Sequence, residues 1–220
     1  MEQSWHRQRA LSILGADMTA GRLLSRIASI VAMAGAIVSL DCGGSDLSTP
    51  SLTAEFSPSA TATAAGRVKL VEAGRAGTRV VLNVVLYGPT ASSDLDAFAF
   101  DLVIADTTVA RFVPGTASAG NALLLSAGQS IDLYAQQSGG RVVVGIRKTG
   151  GGGGNGVSVA QATVVSLAFD VLRVGGTALT LAGSPTNPQN PTPTAAAFDP
   201  SGNKIGSVEF DSAPATLSGV

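Results

Sequence analysis

Histidine and cysteine, two residue types that carry much of enzyme and metal chemistry, occur only once each in this 220-residue chain. They are His6 and Cys42, so residues 43–220 contain neither type. A Ser-His-Asp triad, a Cys-His pair, a disulfide framework and a zinc site with histidine or cysteine ligands all require them. The sequence therefore excludes chemistry of these kinds from everything that follows Cys42.

Carboxylates offer another route to catalysis, because glycoside hydrolysis needs two acids roughly 5–9 Å apart. Acids that could supply such a pair are Asp94, Asp96, Asp101, Asp106, Asp132 and Asp170. They fall at strand ends and turns, where a solvated surface position is the simpler interpretation. We therefore expect no catalytic residues.

Two loops share features with ligand-binding motifs without completing them. The segment 199–203, DPSGN, lacks the alternating acids and terminal glutamate of an EF-hand loop, and we interpret it as a turn. The glycine run 150–154 lacks the Gly-Lys-Ser/Thr ending of a phosphate loop, and no helical pattern follows it. The sequence predicts no cofactor and no metal site, with an incidental loop calcium as the alternative.

The composition limits the class of protein and its partners. Charged residues make up 13% of the chain and the formal net charge is −1. No basic stripe occurs beyond the N-terminus, so nucleic acid is not an expected partner. Hydrophobic residues reach 45%, glycine is abundant at 27 and aromatics are sparse at 5%. This mixture favours many short strands joined by glycine-rich turns.

The N-terminal part of the chain has the pattern of an export signal. Arg22 and Arg26 precede an uncharged run at 27–40, IASIVAMAGAIVSL. As a helix this run would reach about 21 Å, whereas the hydrocarbon core of a membrane is about 30 Å thick. It is too short to span comfortably and fits the apolar region of a signal peptide. Either Met1 or Met18 is compatible with this leader as the true start.

Cys42 follows closely after the apolar run and is itself followed by Gly-Gly-Ser-Asp. A cysteine in this setting resembles the lipobox of bacterial lipoproteins, which implies that Cys42 is lipidated and becomes the new N-terminus. Ser39 and Asp41 stand where that motif has an aliphatic and a small neutral residue. We predict a signal peptide and lipobox-like segment over 1–42, with ordinary secretion and a free thiol as the alternative.

The next segment, 43–65, is rich in Ser, Thr, Ala and Pro and shows no apolar periodicity. This composition predicts a flexible linker that lifts a domain from a surface. The domain itself is expected over 66–215, where strand signals follow one another and no convincing helical pattern occurs.

Alternating and β-branched segments predict about nine short strands in this domain. In 97–104, AFAFDLVI, successive side chains point to opposite faces, which places Phe98 and Phe100 in a core. The segment 164–172, VVSLAFDVL, alternates in the same way and adds Phe169. Further strands are expected at 68–72, 79–87, 109–113, 122–125, 131–135, 141–147, 178–181 and 207–210. Such a series indicates an antiparallel sandwich of two stacked sheets.

The order of these segments resembles the cohesin-like domain, which belongs to the superfamily that also contains cellulose-binding modules. The residues that carry the match are 97–104, 109–112, Ala162, Val165, 167–169, Asp199, Gly202 and Ile205. The resemblance implies an all-β fold, a nine-stranded antiparallel jelly-roll-like β-sandwich. It also implies that one flat sheet face binds calcium-loaded dockerin modules, while related modules bind polysaccharide.

If Phe98 and its alternate neighbours point inward, the residues between them point outward. The same rule applies to the strand at 164–172. The outward residues of these two strands are then small, with one acid on each strand, and such a surface suits contact with a protein. The predicted partner-binding residues are Ala99, Asp101, Val103, Ser166, Ala168 and Asp170.

The sequence thus predicts an exported, non-catalytic surface module with a protein partner. A polysaccharide-binding module is one alternative, although it would need exposed aromatics, for which Tyr87 and Tyr134 are the candidates. A self-assembling subunit that pairs its edge strands with neighbours is another. Lipidation of Cys42 would place the protein at the cell surface or outer membrane, and ordinary secretion would leave it secreted or periplasmic.

Overall fold

The computed structural model describes residues 51–88, 95–150, 161–183 and 195–220. All of them belong to one compact unit, Leu47–Val220. They form two packed β-sheets, and within these ranges no helix is long and apolar enough for a membrane span. The predicted signal peptide with Cys42, the first part of the linker, Asp94 and most of the glycine run lie outside the described residues.

Thirteen strands occur in the described ranges, and four of them have only two or three residues. In chain order they are β1 (Ala54–Ser57), β2 (Arg67–Ala76), β3 (Arg79–Tyr87), β4 (Ala97–Ile104), β5 (Ala110–Phe112), β6 (Ser118–Ala119), β7 (Ser130–Ser138), β8 (Arg141–Thr149), β9 (Gln161–Val171), β10 (Gly175–Ala182), β11 (Ala196–Phe198), β12 (Glu209–Phe210) and β13 (Ala215–Gly219).

The strands divide into a larger and a smaller sheet. The larger sheet has the order β1-β13-β10-β4-β8-β7, and β11 also pairs with β4. The smaller sheet has the order β12-β2-β3-β9-β5, and β6 also pairs with β9. Among the described strands, β12 and β2 run parallel and the other pairs are antiparallel. The two long alternating strands, β4 and β9, therefore lie in different sheets.

The core fills the space between the sheets with the inward residues of each strand. Phe98 and Phe100 of β4 are 1% exposed, and Phe210 packs on them with ring-centroid distances of 6.5 and 5.4 Å. On the smaller sheet, Phe112 and Phe169 meet edge to face at 5.9 Å. Each such buried aromatic contributes about 2–3 kcal/mol relative to an exposed one, so the predicted core phenylalanines are central to stability.

A β-bulge lets β9 keep a single inward face over eleven residues. The register between β3 and β9 shifts between Val84 and Val85, which leaves Val164 as an extra residue. Val164 and Val165 are consequently both buried in the core, although they are neighbours in sequence. Without the extra residue, one half of the strand would turn its apolar side chains to solvent.

The predicted all-β jelly-roll-like sandwich is confirmed, while the number of strands differs from nine. β3 and β4 have the predicted bounds, and the other long strands overlap their predicted segments. Residues 122–125, expected as a strand, form none. Ala122 and Leu123 are buried there, and Ala122 N–H donates to the Thr163 carbonyl at 2.9 Å. The apolar pattern of this segment therefore reflects a packed loop.

The predicted linker, 43–65, ends earlier than its composition suggests. Within it, Ala54–Ser57 forms β1 and pairs with β13 at the other end of the domain. Ala54 is buried in the core, and Arg75 donates to its carbonyl at 3.2 Å. The domain also continues past 215, because β13 runs to Gly219. Pairing between distant parts of the chain, rather than local pattern, produces both strands.

The segment after β1 is fixed to the edge of the smaller sheet by a buried ion pair. Lys69 Nζ donates to the Thr61 carbonyl and lies 3.8 Å from Asp211 Oδ2, to which the Ser59 hydroxyl also donates. Burial raises the pKa of Asp211, but hydrogen bonds from Ser59 and the Ala213 N–H, together with the Lys69 charge, bring that pKa below its usual value. Residues 59–61 therefore belong to the folded domain.

Candidate partner-binding face

The front face, defined here as the outward side of β11, β4, β8 and β7, is a regular surface of small residues. Register places Ala196, Ala99, Gly145 and Tyr134 in one row across the four strands. The next row contains Phe198, Ala97, Arg147 and Asp132. Because alanine and glycine dominate its centre, this surface allows close approach of a partner backbone.

An open depression of about 280 Å³ lies across these two rows. Its lining is largely apolar and is made by Ala97, Phe98, Ala99, Asp132, Tyr134, Gly145, Ile146, Arg147 and Phe198. Tyr134 is 54% exposed, which is unusual for an aromatic side chain in this domain. A Cβ added to Gly145 would meet no atom within 4 Å, so the floor of the depression is open at that point.

Two exposed charges lie at the rim of the front face. Arg147 Nε is 3.4 Å from Asp132 Oδ2, and both side chains are largely exposed. The Tyr134 hydroxyl donates to Gln136 Oε1. A solvated pair of this kind contributes little to folding stability, so both charges remain available to a partner.

Asp101, predicted as an exposed contact residue, is fully buried. Its Oδ2 accepts a hydrogen bond from Arg141 Nη1 at 3.1 Å. Within the described part of the chain, its Oδ1 has no hydrogen-bond donor. Ala99 and Val103, the other two predicted residues on β4, are half-buried on the front face. Asp101 thus lies on the outward side of β4, as the alternation indicates, but its side chain is buried and paired with Arg141.

The three predicted residues on β9 lie on the back face, the outward side of β2, β3 and β9. Because β4 and β9 belong to different sheets, the structure does not bring the six predicted residues together. Ser166 donates to Asn83 Oδ1 at 2.7 Å. Ala168 is 5% exposed, because its strand edge is covered by the segment before β6.

Asp170, the third of these residues, is held by a bidentate pair. Arg79 Nε and Nη2 lie 2.8 and 3.0 Å from its two oxygens. The hydrogen bond from Arg79 lowers the pKa of Asp170; burial opposes this, and the Arg79 and Arg111 charges add to the lowering. Ser166 and Asp170 are thus bonded to side chains of the neighbouring strand β3, whereas Tyr134 of the front face bonds within its own strand, to Gln136.

The described residues contain no group of three His, Cys, Asp or Glu side chains close enough to hold a metal ion. Asp199 of the predicted turn accepts N–H groups of Ser201 and Asn203 at 2.9 and 2.8 Å. The side chain of Asn203, with these backbone donors, lowers the pKa of Asp199. The carboxylate is therefore used to close a turn, as the sequence suggested.

Two larger cavities border the sheets. One of about 640 Å³ lies beside Gly183 and Ala195, which flank residues outside the described ranges. Another of about 390 Å³ lies between the segment after β1 and β2, beside Tyr87. Neither one has an aromatic side chain as exposed as Tyr134.

Sequence reasoning missed Gly145 and Phe198, and it named Tyr134 only as a candidate for polysaccharide binding. The alternation in 130–138 places Asp132, Tyr134 and Gln136 on one side of a strand and is a signal that could have added Tyr134 to the protein-binding residues. The Gly139-Gly140 pair between β7 and β8 is typical of a hairpin turn, but nothing in the sequence indicates that β4 is the other neighbour of β8, because that pairing depends on the topology.

Comparison with known proteins defines the class of the fold. No protein-family model matches the chain, and no curated protein matches it. Among solved structures the fold is that of a type II cohesin, so the predicted resemblance is confirmed at the level of fold.

One matching structure is a type II cohesin from Bacteroides cellulosolvens. It superposes with a TM-score of 0.51 at 16% identity, covering 67% of this chain and 96% of that one. The type II cohesin dyad of an adaptor scaffoldin from Acetivibrio cellulolyticus gives 0.49 at 14%, covering 69% and 48%. A type II cohesin domain from the cellulosome of the same organism gives 0.47 at 12%, covering 76% and 95%.

Proposed function

We propose that this protein is a non-catalytic binding module that engages a protein partner through its front face. The observation that carries the proposal is the open row Ala99, Gly145 and Tyr134 on a cohesin-like sandwich. The residues after Cys42 contain no histidine or cysteine, which leaves surface recognition as the function that the chain supports best.

The chemistry of the front face fits protein recognition. Tyrosine is enriched at interface hot spots, because it supplies a large apolar ring and a hydroxyl at low entropic cost. Tyr134 pairs with Gly145, which pairs in turn with Ala99, and among the described residues no atom lies within 4 Å of a Cβ added to Gly145. Arg147 and Asp132 at the rim supply charge for orientation. This arrangement of an aromatic anchor, a small-residue floor and a polar rim resembles that of protein interfaces.

A dockerin-type module is the first partner to test, because the family that the sequence resembles binds such modules in their calcium-loaded state. The test uses immobilised wild-type domain and secreted proteins from the source organism, with calcium present. We expect a dockerin-containing protein to be retained, released by a calcium chelator and identified by mass spectrometry.

A matched pair of glycine substitutions locates the binding surface. Gly145→Arg places a long charged side chain in the depression, while Gly74→Arg places the same side chain on β2 of the smaller sheet. Neither glycine has an atom within 4 Å of an added Cβ, and neither has a positive φ. G145R should abolish retention and G74R should preserve it. Equal retention by both variants would show that the partner binds to another surface.

Polysaccharide binding has weaker support. Sugar recognition on a flat face uses rows of exposed aromatic rings, but Tyr134 lies on the larger sheet and Tyr87 on the smaller one. Self-assembly has support from β7, which ends the strand order of the larger sheet with nine residues. Retention on insoluble glycan, or concentration-dependent oligomers in sedimentation, would favour these alternatives over a protein partner.

We also propose that the protein is exported and held on a membrane through lipidated Cys42. Support comes from the arginine-flanked apolar run at 27–40 and the cysteine that follows it. Metabolic labelling with a palmitate analogue tests this, with Cys42→Ser as the control. Label on the wild type and none on C42S is the expected result. Absence of label on the wild type would leave secretion with a free thiol.

A further inference from the structure

One end of the sandwich presents a group of apolar side chains to solvent. Leu172 is 42% exposed, Val174 is 73% exposed and Val220 is 53% exposed. The described residues include six large hydrophobic side chains with such exposure, and these three are half of them. We name this group the apolar tip.

The register of the larger sheet brings the tip together with the point where the N-terminal segment enters the domain. Gly175 pairs with Gly219, so Val174 and Val220 extend the same two strands by one residue. Thr53 and Val220 exchange backbone hydrogen bonds of 2.9 and 3.0 Å. The chain that comes from Cys42 therefore reaches the domain beside the apolar tip.

The length of chain between Cys42 and Thr53 is short. Ten residues lie between them, so the eleven Cα-to-Cα steps span at most about 40 Å when fully extended. An anchor at Cys42 would thus hold Thr53, which lies beside the apolar tip, within about 40 Å of the lipid surface.

We infer that the apolar tip is a membrane-contact surface that inserts Leu172 and Val174 into the lipid headgroup region. This inference rests on the lipid anchor of the proposed function. Arg173 lies between the two apolar residues and is largely exposed, in contact with Asp106 at 3.2 Å. Apolar side chains flanking an exposed cation are typical of surfaces that lie at a membrane interface.

The turn that carries the tip is held in place by the fold. Leu172 N–H donates to the Val109 carbonyl at 2.8 Å, which fixes the turn to the end of the smaller sheet. Two exposed leucines, Leu124 and Leu125, precede β7 and follow a segment bonded to Thr163 near the start of β9. They lie toward the opposite end of that eleven-residue strand from Leu172, which makes them a matched control.

The experiment uses residues 42–220, which contain the whole compact unit and its core. Cys42, the only cysteine, is coupled to a maleimide lipid in phosphatidylethanolamine–phosphatidylglycerol vesicles. The only native tryptophan is Trp5, so V174W and L125W each carry one fluorophore. The V174W emission should shift to shorter wavelength and be quenched by brominated acyl chains, and L125W should show neither effect.

Equal responses from V174W and L125W, or no response from V174W, would overturn the inference. A second series carries the reporter V220W and adds either L172S/V174S or L124S/L125S. Only L172S/V174S should abolish the shift. Because the lipid is coupled chemically, these fluorescence results do not depend on acylation in the cell and test only the membrane contact. Palmitate-analogue labelling tests the proposed anchor separately, so the two failures are distinguishable.

Discussion

The front and back faces of the sandwich arise from the same alternation of side chains, but they differ in how their residues are used. On the front face, Gly145 and Tyr134 form an open row with small neighbours. On the back face, Ser166 and Asp170 are bound to partners on β3. The pleat of a strand determines where a side chain points. Its cross-strand partners determine whether it is free to bind another molecule.

The largest expected effect concerns the one buried charge on the front face. Arg141→Ala should destabilise the domain by about 3 kcal/mol, because it leaves the buried Asp101 carboxylate without its cation. Arg79→Ala on the back face should cost clearly less, because the Arg79–Asp170 pair is more exposed to solvent. Urea unfolding of both variants measures the difference.

A second substitution checks the cause of the R141A effect. Asp101→Asn in the R141A background removes the uncompensated charge and should restore part of the lost stability. Equal unfolding midpoints for R141A and R79A would contradict the assignment of Asp101 as a buried, Arg141-dependent charge.

A smaller effect is expected from removing the aromatic anchor of the front face. Tyr134→Ala should weaken partner binding by about 2 kcal/mol, roughly 30-fold in Kd. Its melting temperature should stay close to that of the wild type, because the ring is 54% exposed. Asp170→Ala on the back face is the control and should leave Kd unchanged in calorimetric titration. A larger binding loss in D170A than in Y134A would reverse the roles of the two faces.

The Arg79–Asp170 pair gives the back face a pH dependence. The hydrogen bond from Arg79 keeps the pKa of Asp170 below its ordinary value, despite the opposing effect of burial. The ionised carboxylate therefore adds stability above about pH 4, the unfolded pKa, and this stability is lost as the pH falls through the folded pKa. The stability difference between wild type and Asp170→Asn should shrink below pH 4. A constant difference from neutral pH down to pH 3 would contradict this linkage.

The smallest effect is expected at the rim of the front face. Arg147→Ala breaks an exposed pair with Asp132 and should change the free energy of unfolding by about 0.5 kcal/mol or less. R147A should have a larger effect on the association rate with a charged partner than on the free energy of unfolding. Charges at the rim of an interface act mainly on the rate at which two proteins meet. Stopped-flow binding at two salt concentrations separates the two effects.

Strands with long alternation could be predicted from the sequence, and strands that depend on distant pairing could not. β3 and β4 have eight or nine residues with clear inward and outward sets, and their bounds follow from that pattern. β1 has four residues inside a Ser/Thr/Pro-rich segment. It forms because β13, at the far end of the chain, supplies its hydrogen-bond partners.

The candidate site shows the same limit. Alternation indicates correctly that Ala99 and Asp101 lie on the outward side of β4, but it does not reveal that β9 belongs to the other sheet. The burial of Asp101 depends on Arg141, forty residues further along the chain. Tyr134 acquires its neighbours only when β7 pairs with β8.

The position of β1 has a mechanical consequence for a domain tethered at its N-terminal side. Any pull between the tether and a bound partner passes first through this four-residue edge strand, which is bonded to β13 on one side. Release of β1 would lengthen the tether by about 13 Å at 3.3 Å per residue. The backbone pairs that join β13, β10, β4, β8 and β7 do not involve β1. Under load, the domain would then extend further from its tether, while the strands of the front face kept their pairing.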